Sequence, residues 1–113
     1  MRENGLKPYY VVLRCPVFLR NVESVGDACN IAVSEVSKKV PKFVDIDVEE
    51  AVCSCGSAGK RVMVVAGDAF VSVLLGIKVV ADSERGAVRV AKSIVRKAFE
   101  KTEVAGVRLL CQA

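Results

Sequence analysis

An internal repeat is the feature of this sequence that most constrains its fold. The second half of the chain matches the first at an offset of 59 residues. The identities within one short window are Ser24, Ala28, Ala32, Ser34, Val36 and Lys38, which recur as Ser83, Ala87, Ala91, Ser93, Val95 and Lys97. Such a period indicates one structural unit used twice. Because the chain has 113 residues, we predict that both copies belong to a single domain over residues 1–113.

Each copy of the repeat predicts a strand, a helix and a second strand. The opening strands are expected over residues 9–20 and 70–81, which are rich in β-branched residues. Ser24 and Ser83 then have the character of helix N-caps, and apolar residues follow at helical spacing. The helices are expected over about 25–39 and 84–101, and the closing strands over 43–52 and 104–111.

Two such units pack most compactly as a ferredoxin-like βαββαβ sandwich. In this α+β fold, an antiparallel sheet carries both helices on one face. Residues 61–66 are left over and predict one extra strand, which either pairs in a hairpin with the strand before it or extends the next one. Pro16 predicts a bulge or an edge position in the first strand.

The alternation of apolar and acidic residues from 44 to 49 predicts what lies on the sheet face opposite the helices. Val44, Ile46 and Val48 should point to the core, and Asp45, Asp47 and Glu49 to the open face. Basic residues of neighbouring strands are expected there too, namely Arg14, Arg20, Lys78 and Arg108. These charges predict either cross-strand ion pairs, each worth at most about 1 kcal/mol, or a ligand site. The apolar residues expected among them favour contact with a second subunit and thus a homodimer; they are Leu74, Val80 and Leu110.

Composition and motifs favour a non-catalytic protein. Histidine is absent, which excludes Ser/His/Asp and Cys/His nucleophile pairs and histidine-ligated metal sites. No P-loop or GxGxxG spacing is present. The short polar N-terminus and the lack of a long apolar run predict a cytosolic protein without a membrane span. We therefore predict a binding or assembly module, with no catalytic residue and no small-molecule ligand assigned.

The segment with the clearest chemical content is the loop CSCGSAGK at residues 53–60. The thiolates of Cys53 and Cys55 can both point at one soft metal ion, and structural zinc takes four ligands. We therefore predict a zinc site completed across a two-fold dimer, or by Cys15 or Cys111. The alternatives are a hairpin loop with inert or oxidised thiols, and a thiol-dependent enzyme or redox protein in which Lys60 or Arg61 keeps a thiol ionised.

A basic stripe on the second helix offers a further alternative. Arg85, Arg89, Lys92 and Arg96 recur at spacings of four, three and four residues. On a helix they fall within about 60° of one another, away from the apolar face. Such a stripe can follow phosphates, and the net charge of +4 is compatible with nucleic-acid binding, although it is also typical of a solvated helix face. The strands at 61–66 and 70–79 show no paired aromatic residues, on which RNA-recognition domains of this topology stack bases.

Several short segments spread over almost the whole chain carry a family resemblance. They are YYVVL at 9–13, RNVESV at 20–25, the Cys-Gly loop, VVAGDA at 64–69 and AKSIV at 91–95. In these segments the chain resembles an archaeal family of unknown function, uncharacterised protein family 0212. Members of that family generally carry Cys-x-x-Cys-Gly at the loop, where this chain has Cys53-Ser54-Cys55-Gly56. The resemblance implies an archaeal, cytosolic origin and supports the predicted fold, but it brings no assigned activity.

Overall fold

The order of elements reproduces the repeat seen in the sequence. The structure is a computed structural model, and it describes residues 5–52, 58–60, 62–99 and 101–110. In chain order its elements are β1 (Lys7–Leu19), α1 (Val25–Lys39), β2 (Asp45–Val48), β3 (Glu50–Val52), β4 (Ala58–Lys60), β5 (Val62–Val65), β6 (Asp68–Ala81), α2 (Glu84–Val95) and β7 (Glu103–Leu109). This is an α+β fold, as predicted. Neither helix in the described ranges is long and apolar enough to span a membrane.

A five-stranded antiparallel sheet is built around the long pair β1 and β6. These two strands pair without interruption from Lys7↔Ala81 to Leu19↔Ala69. β7 pairs with the outer edge of β1, whereas β2 and β5 share the outer edge of β6. The order β2-β6-β1-β7 is compatible with the predicted ferredoxin-like sandwich, to which β5 is added.

The core lies between the two helices and one face of the sheet. Most odd-numbered residues of β1 and β6, such as Leu13 and Leu75, are buried, whereas most of their even-numbered neighbours are half-buried or exposed. Both helices pack on β6, and since only one face of the sheet is covered, both lie on that face. Their contact residues include fully buried alanines, which let the helix axes approach the strands: Ala28, Ala32, Ala87 and Ala91.

The predicted N-caps begin both helices. The Ser24 hydroxyl accepts a hydrogen bond from the Asp27 N–H at 3.1 Å, and the Ser83 hydroxyl accepts one from the Gly86 N–H at 3.1 Å. The predicted end of α2 near residue 101 is wrong, because the helix ends at Val95. The chain turns there, since β7 has to begin at Glu103 opposite Arg14.

The single strand predicted over 43–52 is also wrong. Its first part, β2, pairs with β6, but β3 leaves the main sheet and pairs with β4. The reason is competition: β5 occupies the β6 edge from Asp68 to Val71, where β3 would otherwise continue. β5 itself forms a hairpin with the strand that follows it, contrary to both predicted arrangements. Its two-residue turn has positive φ at Ala66 (53°) and Gly67 (86°), as a type I′ turn requires.

Pro16 lies at an edge of the sheet, one of its two predicted positions. Pairing with β7 stops at Arg14, so no described strand borders β1 beyond that residue on this side. The Pro8 carbonyl oxygen accepts a hydrogen bond from the Leu110 N–H at 3.0 Å and therefore points to the β7 side. Because backbone groups alternate along a strand, the nitrogen of Pro16 points to the same side.

Candidate functional site

A cation-lined cleft of about 630 Å³ lies at the C-terminal end of α2. We call it the α2 cleft, and its lining residues are Arg89, Lys92, Ser93, Arg96, Phe99, Lys101 and Thr102. Among the described lining residues there is no carboxylate. The Ser93 hydroxyl donates to the Val90 carbonyl oxygen at 3.1 Å, so the cationic side chains are the main donors for a ligand. This combination of four positive charges favours a phosphate-bearing ligand.

The α2 cleft contains most of the predicted basic stripe. Arg89, Lys92 and Arg96 line it, whereas Arg85 is exposed nearer the start of the helix and is not among its lining residues. Sequence reasoning missed Phe99, Lys101 and Thr102 because it placed residues up to about 101 within the helix. The turn after Val95 brings these residues to the cleft. The predicted closing strand begins at residue 104, close behind Thr102. A connection between helix and strand needs several residues, and this was the signal that the helix ends earlier.

A second cleft, of about 530 Å³, lies on the open face of the sheet. We call it the aromatic cleft, and it is lined by Arg14, Pro16, Phe18, Phe70, Ser72, Lys101, Thr102 and Glu103. Phe18 and Phe70 face each other across β1 and β6, with ring centroids 5.1 Å apart and ring planes at 58°. Phe18 is 74% exposed, and Met63, next to Phe70 on β5, is 62% exposed.

The expectation that the strands at 61–66 and 70–79 carry no paired aromatic residues overlooked the Phe18–Phe70 pair. That expectation considered residues within single strands. The pair instead arises from the register of two strands distant in sequence, which brings one phenylalanine from each to the same face. Even-numbered positions of both strands share the open face. The alternation along the strands therefore predicts the Phe18–Phe70 pair once the register of β1 against β6 is known.

The polar side of the aromatic cleft is a cross-strand ion-pair network. Arg14 donates to both oxygens of Glu49, at 2.7 Å each, and to Oε1 of Glu103 at 3.2 Å. The buried Ser72 hydroxyl donates to Glu49 Oε1 at 2.6 Å. The hydrogen bonds to Glu49 and Glu103 raise the pKa of Arg14 above its ordinary value. Of the predicted cross-strand ion pairs, the one between Arg14 and Glu49 is therefore present, and it offsets the positive charge of Arg14.

Tyr10 occupies the other end of the open face. Its hydroxyl donates to Asp45 Oδ2 at 2.9 Å, and the Arg108 guanidinium lies 5.5 Å from the centre of its ring. The ring reaches across Gly76, where a Cβ would overlap the Tyr10 hydroxyl. Partial burial, followed by the Asp45 carboxylate, raises the pKa of Tyr10. Tyr10 and Asp45 thereby join β1 to β2 across β6.

The cysteines divide into buried and undescribed positions. Cys15 is fully buried, and burial raises the pKa of its thiol to about 12. Cys29 is buried on the core side of α1, whereas Cys53, Cys55 and Cys111 lie outside the described residues. Within the described ranges, no group of three or more cysteine, aspartate or glutamate residues is arranged to hold a metal ion. The structure therefore places Cys15 in the packing of the core.

The Cys15 thiol is expected to resist alkylation in the folded protein. A pKa of about 12 instead of 9.0 reduces its thiolate fraction about a thousandfold at neutral pH, in addition to the steric protection of the core. We expect a variant with Ser at positions 53, 55 and 111 to leave Cys15 unmodified by iodoacetamide in buffer and to react in urea. Peptide mass spectrometry measures the fraction of Cys15 that is alkylated in each condition. Equal modification of Cys15 in both conditions would contradict its enclosure.

Comparison with known proteins places the chain among archaeal relatives. A UPF0212 protein of Methanococcus maripaludis is 41% identical over 98 residues, covering 81% of this chain and 87% of the relative. The corresponding protein of Methanocaldococcus jannaschii is 38% identical, with 81% and 85% covered. A UPF0212 protein of Thermococcus sibiricus is 39% identical over 99 residues, with 82% and 76% covered. No solved structure matches the chain.

The family assignment rests on a match along nearly the whole fold. Residues 9–109, from β1 to the last residue of β7, match the family described as "Protein of unknown function (DUF555)". The match includes both helices and the residues of both clefts. It agrees with the resemblance to protein family 0212 drawn from the sequence segments. The chain therefore belongs to this archaeal family of proteins of unknown function.

Proposed function

We propose that this protein is a cytosolic, non-catalytic binding module that holds nucleic acid by its phosphates in the α2 cleft. The observation that carries this proposal is the convergence of Arg89, Lys92, Arg96 and Lys101 on one cleft with no carboxylate among its described lining residues. Arginine and lysine in such an arrangement suit phosphate oxygens. A ferredoxin-like sandwich is the scaffold we propose for it, with α2 presenting its cations away from the sheet.

The size and position of the α2 cleft support a polymer better than an enclosed small molecule. Arg89, Lys92 and Arg96 are all exposed and follow the helix axis over two turns, so they can contact successive phosphates. Each phosphate contact releases counterions, and the affinity therefore depends on the number of cations engaged and on salt. The net charge of +4 adds a general attraction for a polyanion.

Reversing two charges of the α2 cleft is expected to weaken binding strongly. In the variant Arg89→Glu with Arg96→Glu, we expect affinity for an oligonucleotide of about 12 residues to fall roughly a hundredfold at low salt. The slope of log affinity against log salt should flatten by about two, one for each lost phosphate contact. Fluorescence anisotropy of the labelled oligonucleotide over a salt series measures both quantities.

The matched control reverses two exposed lysines outside the α2 cleft, Lys7→Glu with Lys42→Glu. It changes the net charge by the same amount, so it isolates the general attraction from the specific contacts. We expect it to weaken binding several-fold less than the first variant. Equal losses in both variants, or unchanged affinity in the first, would refute the proposed interface.

A separate proposal concerns the cysteine loop. β3 and β4 pair from Glu50↔Lys60 to Val52↔Ala58, so residues 53–57 connect the two strands of a hairpin. We propose that Cys53 and Cys55 hold zinc together with the same two cysteines of a second copy, which would supply four thiolates. Cys15 is a poorer third ligand, since it is enclosed in the core. Zinc-free protein with a reversible disulfide in this loop would favour the redox alternative instead.

A further inference from the structure

The two clefts share two lining residues, Lys101 and Thr102. The α2 cleft lies along the helix, and the aromatic cleft lies on the open face of the sheet. Lys101 and Thr102 lie between the two clefts, next to the part of β1 that β7 leaves uncovered. A chain-like ligand held by the cations of α2 can therefore pass over Lys101 and Thr102 to the phenylalanine pair.

We infer that the ligand is single-stranded nucleic acid and that Phe18 and Phe70 stack its unpaired bases. This inference rests on the proposed function, since it takes phosphate binding in the α2 cleft as given. It adds to that proposal which part of the ligand the aromatic cleft recognises, namely the unpaired bases. Bases in a duplex are stacked on one another, whereas those of a single strand can turn out and lie against aromatic side chains.

The chemistry of the aromatic cleft suits a base better than a phosphate. Its arginine, Arg14, is already engaged by Glu49 and Glu103, so a phosphate there would meet two carboxylates. Phe18 is 74% exposed and offers a ring face, with Pro16 as an apolar neighbour in the same cleft. A planar, uncharged base gains contact with the ring without disturbing the ion pairs.

A second copy of this chain is the other occupant that the apolar row of Phe18, Phe70 and Met63 could accept. Charge favours nucleic acid. The row adjoins Lys101 and, through it, the cations of the α2 cleft. Arg14 is offset by Glu49 and Glu103, so the attraction for a polyanion comes from Lys101 and the cations of the α2 cleft. A symmetric contact at this position would bring those cations of two copies toward one another, which is unfavourable.

The test is Phe18→Ala, which replaces an exposed side chain and therefore leaves the fold intact. We expect its affinity for a single-stranded oligonucleotide to fall about tenfold, the usual effect of losing one base–aromatic stack. Its affinity for a duplex of the same sequence should not change. Phe18→Trp should keep single-strand affinity, since the larger ring also stacks. The matched control is Phe43→Ala, because Phe43 is 63% exposed but lines neither cleft.

The outcomes separate this inference from the proposal on which it rests. If Arg89→Glu with Arg96→Glu abolishes binding but Phe18→Ala behaves like Phe43→Ala, phosphate binding stands and base stacking is refuted. If Phe18→Ala weakens single-strand and duplex binding equally, the selectivity for single strands is refuted. If Phe18→Ala shifts the protein from dimer to monomer in sedimentation and leaves the oligonucleotide affinity unchanged, base stacking is also refuted. The row of Phe18, Phe70 and Met63 would then be a subunit interface.

Discussion

Replacing Leu75 by alanine is expected to lower the free energy of unfolding by about 3 kcal/mol. Leu75 is fully buried on β6, between Leu13 of β1 and Ile46 of β2, on the face that both helices cover. Truncation removes the transfer free energy of the side chain and leaves a cavity beneath the helices. Because three elements meet there, the site has little freedom to collapse around the gap. Urea unfolding followed by circular dichroism measures the change.

Leu109→Ala is the matched control for Leu75→Ala. Leu109 also lies in the sheet, on the edge strand β7, but it is 52% exposed. We expect it to cost less than about 1 kcal/mol, since most of its surface already meets water. If the two variants lost equal stability, the assignment of the core to the odd-numbered face of β6 would be wrong.

Replacing both Cys53 and Cys55 by serine is expected to remove zinc, lower the melting temperature by about 10 °C or more and shift the protein toward monomer. In the proposed site, ligands from two copies would assemble around one ion, so metal binding and dimerisation would stabilise each other. Chelation of the wild-type protein should have the same effects. Metal analysis, differential scanning calorimetry and sedimentation velocity give the three readouts.

Cys29→Ala separates metal loss from loss of packing. Cys29 is buried on the core side of α1, so its truncation should reduce stability while the metal content stays that of wild type. The zinc proposal fails if the double serine variant keeps the melting temperature, the oligomeric state and the metal content of the unaltered protein. The loop would then act only as a turn between β3 and β4.

Local signals in the sequence predicted the parts of the fold that depend on local interactions. The bounds of α1 and both serine caps are confirmed, because helical spacing and N-cap hydrogen bonds involve residues a few positions apart. The break between β2 and β3 was missed. It depends on which strand occupies the edge of β6, and that is decided by the hairpin through Ala66 and Gly67, far along the chain.

In the candidate site, too, the sequence predicted only the residues that local spacing brings together. Arg89, Lys92 and Arg96 were found from their spacing, since one helix brings them together. The Phe18–Phe70 pair was missed because it requires the register of β1 against β6. Lys101, which joins the two clefts, was missed because the helix was extended past Val95. In both cases the missing information was tertiary. It was the register of β1 against β6 in the first case, and the length of chain needed between α2 and the start of β7 in the second.

The edge position of Pro16 has a consequence for how the protein behaves in a crowded solution. The uncovered stretch of β1 is the kind of strand edge that can template the addition of strands from other chains and lead to aggregation. Pro16 points its nitrogen outward there and has no N–H to donate, which interrupts the row of donors that an incoming strand would need. We therefore expect the same residue that borders the aromatic cleft to limit uncontrolled sheet growth at this edge.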